Sequence, residues 1–298
     1  MTFLAIGLDC DPTMVHFLRY CRRGEIAVEA INLREVAAKG TWKLSVPPAA
    51  DDFIQAGQKT WVMRDFRAVY NRPIDLTWQH ADHALANRWS GLMTALFAWL
   101  QCADTLIVNR PIAGAHNSSK PLHEQLIRRT GLLVPPSLAS MDTTSLLAFA
   151  RAKPSVIKAL GGARGDTIRV TEEMLERYPS PAAPLYIQEY IPGADIRAHV
   201  VHDQVHSVRV DSTAVDYRAA AANPRFSPWT LPPDIGTALV AAGRSFGLEL
   251  SGWDLKLDSG GTYWCLEANP QPGYSMYDRH LDFQISRSLA DLLRRASA

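Results

Sequence analysis

The sequence predicts an α/β protein built as α+β lobes, and three observations carry that expectation. The chain opens on a buried strand, "FLAIGL", and passes at once into a helix, "DCDPTMVHFLRYCRRG". Later segments such as "DIRAHVVHDQVHSVRV" alternate and turn like antiparallel hairpins. With 298 residues, 47% of them hydrophobic, the chain can fill cores in two or three small lobes, and the pattern divides it into 1–108, 109–187 and 188–298.

In the first lobe Asp11 is placed to cap the opening helix, Pro12 to sit in its first turn and Gly24 to stop it. "IAVEAINL" and "RAVYNRP" read as further strands, and a helix from about His80 to Cys102 leads to the short strand "TLIV". The most membrane-like stretch, Trp89 to Ala103, is shorter than the ~18 apolar residues of a span and repeats at helical spacing, so it reads as a buried helix. The second lobe starts at "NRPIAGAHNSSKPLHEQLIRRTGLLVPPSL", where Ser118 or Ser119 can cap a helix that Gly131 stops. A helix capped by Asp142 and the strand "SVIKAL" follow, then the loop "GGARGD". In the third, the strand "LYIQEYIPG" precedes the hairpin quoted above, an irregular Pro-bordered stretch from about Asp216 to Pro233, and a helix to about Phe246. A second hairpin, "SGWDLKLDSGGTYWCLEANP", and an amphipathic helix from about Asp278 complete the chain.

Thirty-one Lys plus Arg against thirty Asp plus Glu leave a formal charge of +1, which gives no footprint for nucleic acid or an anionic membrane. Cys10, Cys21, Cys102 and Cys265 form no CxxC pair, which fits a reducing compartment rather than a zinc knuckle or disulfide framework. The N-terminus lacks the basic region of a signal peptide, so a cytoplasmic protein is expected.

Four stretches can carry chemistry. If Gly260 and Gly261 form a two-residue turn, Asp254 faces Glu267 across the hairpin, and Asn269 lies on the same face one pleat on. Three hard oxygen donors in that array suit Mg²⁺; a solvated face with Lys256 as partner is the alternative. Lys158 ends a strand before a loop with Gly161, Gly162 and Gly165, a way to surround phosphate that is equally a surface turn. The strand around Glu189, Tyr190 and Ile191 breaks at Pro192 and Gly193 and can offer amides and carbonyls to a flat heterocycle, with Asp195 and Arg197 just beyond. In the hairpin that follows, Arg197 and His199 share one face and Arg209 takes the other. The spacings "HADH" and "HVVH" do not make a histidine metal site, since His199 and His202 point opposite ways along a strand.

Taken in order, Asn109 with Lys120, Lys158 with its glycine loop, "QEYIPGADIR", and Asp254 with "LEANPQPG" resemble the ATP-grasp superfamily. Within it, "VNRP…SSKPLHEQLIRRTGLLVPPS" and "RVDS…DYR" are similar to the branch of ribosomal-protein glutamate ligases and graspetide (microviridin-type) macrocyclases. The resemblance implies an ATP-grasp fold after an N-terminal pre-grasp α/β domain. It implies ATP with Lys120 and Lys158 on its phosphates, Glu189 to Ile191 along adenine and Asp195 on ribose, and Mg²⁺ on Asp254, Glu267 and Asn269. Arg197, Arg209 and Arg218 become candidates for neutralising the transferred phosphoryl group and the substrate carboxylate.

The activity so implied is ADP-forming ligation of a carboxylate to an amine or hydroxyl through an acyl phosphate. The substrate is a ribosomally made peptide with a leader segment, or else free amino acids or small acids, and the ligase can act as a homodimer. A non-ligating ATP-binding regulator and a kinase of the same fold are the competing expectations. The stretch Ala219 to Trp229 departs from the more polar loop of the glutamate ligases, so the likeness speaks to the nucleotide more than to the substrate.

Overall fold

The structure is a computed structural model and describes residues 2–74, 82–158, 160, 167–178, 183–212 and 223–297. The first lobe runs β1 (Phe3–Gly7), α1 (Pro12–Arg23), β2 (Val28–Asn32), α2 (Leu33–Lys39), β3 (Thr41–Lys43), β4 (Phe53–Ala56), β5 (Lys59–Val62), β6 (Ala68–Asn71), α3 (His83–Cys102) and β7 (Leu106–Val108). Four of these strands form a parallel sheet in the order β2-β1-β6-β7. Alternate residues of β1 feed different cores: Leu4 and Ile6 pack with Trp89, Leu92 and Leu96 of α3, while Phe3 and Ala5 pack with Phe17 of α1. The apolar stretch from Trp89 is therefore a core helix, and among the described residues no helix is long and apolar enough to cross a membrane.

Asp11 caps α1 as expected, its carboxylate accepting from the Thr13 amide at 2.9 Å. Helix α3 is described from His83, where Asp82 accepts from the Ala84 and Leu85 amides and so caps the first turn; the start expected at about His80 lies outside the described residues. Helix α2 and the small sheet β3-β4-β5 have no counterpart in the sequence reading, being too short to show a period.

The central lobe contains α4 (Lys120–Arg129), β8 (Ser137–Ser140), α5 (Thr143–Ala152), β9 (Ser155–Lys158), β10 (Ile168–Arg169), α6 (Glu172–Glu176) and β11 (Leu185–Glu189), with an antiparallel sheet in the order β10-β9-β11-β8. Since β11 hydrogen-bonds on both sides within this sheet, the central lobe runs through Glu189, past the boundary expected at 187. Ser119 holds the cap position of α4 without a side-chain bond, and Ser118 instead donates to the Ala115 carbonyl at 2.8 Å.

The last lobe comprises β12 (Ala194–Val201), β13 (Gln204–Asp211), β14 (Arg225–Trp229), α7 (Pro233–Ser245), β15 (Leu250–Leu257), β16 (Tyr263–Asn269), α8 (Ser275–Asp278) and α9 (Gln284–Ser297), with a sheet in the order β14-β13-β12-β15-β16. Strand β14 lies in the stretch read as irregular. Pro228 disguises it, yet an edge strand tolerates proline, and Ser207 adds a bond to the Trp229 carbonyl at 2.6 Å. One face of the sheet, with Ile196, Ala198, Trp253 and Leu255, packs on Leu239 and Ala242 of α7. The other packs Val208, Val210 and Leu250 with Ile285 and Leu289 of α9, in the same core as Phe3 and Tyr70 of the first lobe. Helix α9 starts at Gln284, later than expected: the buried Asp278 carboxylate accepts from the Ile285 and Ser286 amides across the intervening turn.

Candidate active site

The hairpin β15–β16 sets Asp254 directly opposite Glu267 and Gly252 opposite Asn269. The expected two-residue turn is not how it does so. Asp258 and Thr262 close a three-residue loop, the Asp258 amide reaching the Thr262 carbonyl at 3.1 Å, and Gly261 turns with φ +83°. That loop pairs Leu255 with Cys265, and strict alternation would then send Glu267 into the core beside Cys265. An extra residue, Leu266, bulges out between the two pairs and brings Glu267 back to the face of Asp254.

The neighbouring strand adds cations in register. Arg197 of β12 stands opposite Asp254 and forms an ion pair with it, and Asp195 stands opposite Lys256, 2.8 Å from its ammonium. Lys256, the alternative partner for the acidic face, is thus committed to Asp195 and, at 3.4 Å, to the Gly193 carbonyl.

Helix α4 supplies the rest from one face, since residues three and four apart stack there. Lys120 donates to Glu267 at 2.6 Å. His123 accepts from the Ala268 amide at 2.9 Å. Glu124, 2% exposed, accepts from Gln188 and from Ser137, each at 2.6 Å, and Gln188 in turn takes the Lys158 ammonium at 2.6 Å. Burial alone would raise the Glu267 carboxyl, but Lys120, Lys158 and Arg197 outweigh it and hold the group below its ordinary value. His123, Glu124 and Gln188 carry no motif of their own; the spacing of Lys120, His123 and Glu124 along one helix is the signal that could have found the first two.

The exit of β16 is tied to the first lobe. The Asn109 carboxamide donates to the Leu250 and Pro270 carbonyls, both at 2.6 Å, and accepts from the Glu249 and Leu250 amides at 2.7 and 3.0 Å. Arg72, ion-paired with Asp11, donates to the Pro272 carbonyl at 2.9 Å.

A sequence model of the RimK-like ATP-grasp domain matches residues 118–293, more than half of the chain. The chain belongs to the RimK-like ATP-grasp family. Relatives of this RimK-like chain include a probable alpha-L-glutamate ligase of Pseudoalteromonas translucida (strain TAC 125), 27% identical over 205 residues, which are 64% of this chain and 68% of that one. Among solved structures, the ATP-grasp ligase PsnB complexed with a minimal precursor, Mg and ADP superposes with a TM-score of 0.82 at 23% identity, over 99% of this chain and 97% of that one. The macrocyclase MdnC bound with precursor peptide MdnA, from Microcystis aeruginosa MRC, gives 0.81 at 19% identity over 99% and 100%. The fold is the ATP-grasp fold, and the chain is a member of that family of ligases.

In this RimK-like frame the donors fit a hard cation. Among the described residues no three of His, Cys, Asp and Glu converge, so a cation on Asp254 and Glu267 would need Asn269, two residues on from Glu267, as a third donor. Its carbonyl accepts one bond, from the Gln271 amide at 2.8 Å, and an amide oxygen has a second lone pair. The nucleotide expectations fare unevenly. Of the amides and carbonyls expected along adenine, the Glu189 and Tyr190 amides donate to the Pro136 and Pro154 carbonyls at 2.8 and 2.7 Å. The Glu189 side chain takes Lys153 at 2.7 Å. Arg209 is not brought to the cluster: it points from the opposite face, bonded to Asp211 at 2.9 Å with its guanidinium 5.4 Å from the Trp229 ring. Gly161, Gly162 and Arg218 lie outside the described residues.

Proposed function

We propose that the protein is an ATP- and Mg²⁺-dependent carboxylate ligase that modifies or macrocyclises a ribosomally made peptide. The observation that carries this reading is the polar face where Glu267, opposite Asp254, is surrounded by Lys120, Lys158 and Arg197. ATP, when bound, supplies the phosphoryl group that turns a carboxylate into an acyl phosphate, and Mg²⁺ offsets charge on the phosphate oxygens. Asp254, Glu267 and Asn269 would hold the metal. Lys120 and Lys158 would exchange their present acceptors for phosphate oxygens, and the Arg197 fork would take the oxygens that gain charge. Before nucleotide binds, the Gln188–Glu124 pair would hold Lys158 at the site, which limits the reorganisation that binding requires. Adenine is left with the Ile191 amide and nearby carbonyls, and ribose with Asp195.

A peptide substrate is favoured because PsnB and MdnC, both solved with precursor peptides, match the chain from end to end, first lobe included. The leader would dock on the central lobe, and a cytoplasmic location suits a ribosomal product. The glutamate-ligase relatives favour a second reading, addition of free glutamate to an acceptor. Mass spectrometry of peptides encoded beside this protein, incubated with ATP and Mg²⁺, separates the two. The expected result is ADP, phosphate and a loss of about 18 Da per bond closed. A gain of one residue mass establishes glutamate addition instead, and AMP with pyrophosphate overturns both.

A further inference from the structure

Strand β16 is the edge of its sheet, so its outward amides need partners from elsewhere. Two are found on either side of the Leu266 bulge. The Cys265 amide donates to the Leu133 carbonyl at 2.7 Å, and the Ala268 amide donates to His123 Nε2 at 2.9 Å. Ala268 lies between Glu267 and Asn269, the two donors that β16 contributes.

An amide N–H can only donate, so His123 Nε2 must present a lone pair and the ring proton must sit on Nδ1. That Nδ1 is 2.8 Å from His116 Nδ1, which accepts, and His116 therefore carries its own proton on Nε2. Among the described residues that last atom is buried without a partner. The two rings stack at 4.9 Å, and the His116 ring packs edge-on against Phe246 at 4.6 Å. Burial of His123, 1% exposed, pushes its pKa down to about 4, with the Lys120 charge adding to the effect and Glu267 opposing it, so the ring stays neutral and able to accept.

We infer that His123 is a positioning residue for the proposed metal face: held in one tautomer by His116, it fixes the backbone between Glu267 and Asn269 and thereby the direction of both side chains. Lys120, one turn earlier on α4, meets Glu267 itself, and Asn109 holds Pro270, so His123 restrains the outward amide of Ala268 between those two contacts. The inference rests on reading that face as a Mg²⁺ site.

The test compares His123→Leu, His123→Gln and His116→Phe in the full chain. It measures Mn²⁺ binding with a non-hydrolysable ATP analogue by electron paramagnetic resonance, and amide hydrogen exchange along β16. His123→Leu should weaken Mn²⁺ binding by about tenfold or more, as loss of an orienting partner typically does. It should also speed exchange at Ala268 but not at Cys265, and leave metal-free nucleotide binding unchanged. His123→Gln, whose Oε1 can accept the same bond, should stay within about threefold of the natural protein. If the Leu variant does not fold, His116→Phe decides, because it removes the acceptor for the Nδ1 proton while keeping His123. Natural Mn²⁺ affinity in His123→Leu, or in His116→Phe when that variant decides, overturns the inference and leaves the metal reading standing. A natural protein that takes up no Mn²⁺ with the nucleotide analogue overturns the metal reading, and the inference with it.

Discussion

Glu267 concentrates the residue-scale chemistry, for it meets Lys120 directly and also feels Lys158 and Arg197. Glu267→Gln keeps the shape and removes the charge that gathers these cations, so ADP formation should fall by more than about tenfold, over ~1.4 kcal/mol of barrier. The fold should persist, since partly buried Glu267 has an amide isostere as its replacement. Asp254→Asn, across the strand pair and bound to Arg197, should behave alike. Rates measured against Mg²⁺ concentration check both; natural turnover with an unchanged Mg²⁺ requirement takes the residue out of the site.

At the scale of elements, two turns of backbone frame the site and differ in what they tolerate. Gly261, in the loop that sets the β15–β16 register, has φ +83° with nothing within 4 Å of a Cβ added to it. Gly261→Ala should therefore cost only the left-handed backbone, about 1 kcal/mol. Gly193, at φ +146°, lies where β12 begins, and a Cβ there falls on the Leu257 carbonyl at the end of β15. Gly193→Ala must push apart the strands that carry Asp195 and Lys256, so it should lose several times more stability. Urea midpoints of the two variants check the order, and equal losses would show that the β12–β15 junction yields freely.

Over the whole molecule, buried histidines tie stability to pH. Burial lowers the pKa of His199 well below its ordinary value, with Arg197 and His206 adding to the effect, and burial likewise lowers His206 and His116 and brings His123 to about 4. The unfolded chain binds protons at these rings near pH 6.5 while the native one resists. The native advantage is thus complete above about pH 6.5 and is lost progressively as the pH falls toward about 4. The urea midpoint should drop between pH 7.5 and 5.5, and His199→Phe, set among Tyr274 and Tyr277, should shrink that drop. An unchanged midpoint shows that the unfolded state keeps these rings equally shielded.

The sequence by itself determined the local pieces: the Asp11 and Asp142 caps, Lys158 at a strand end, and the convergence of Asp254, Glu267 and Asn269 on one face. It did so because capping and strand alternation act over a few residues. Even there the register was reached by a longer loop and a compensating bulge, which alternation alone does not reveal. Alternation also put Arg209 on the far face from Arg197, where the structure finds it, while the order of motifs still made it a candidate. Only the tertiary structure decided the partners: Lys120 with Glu267 across 147 positions, His123 with Ala268 across 145, and α9 in the core of the first lobe. Those contacts join segments that no period or motif relates. They depend on which sheet edge each helix covers, and that is settled by burying apolar faces of separate lobes against one another.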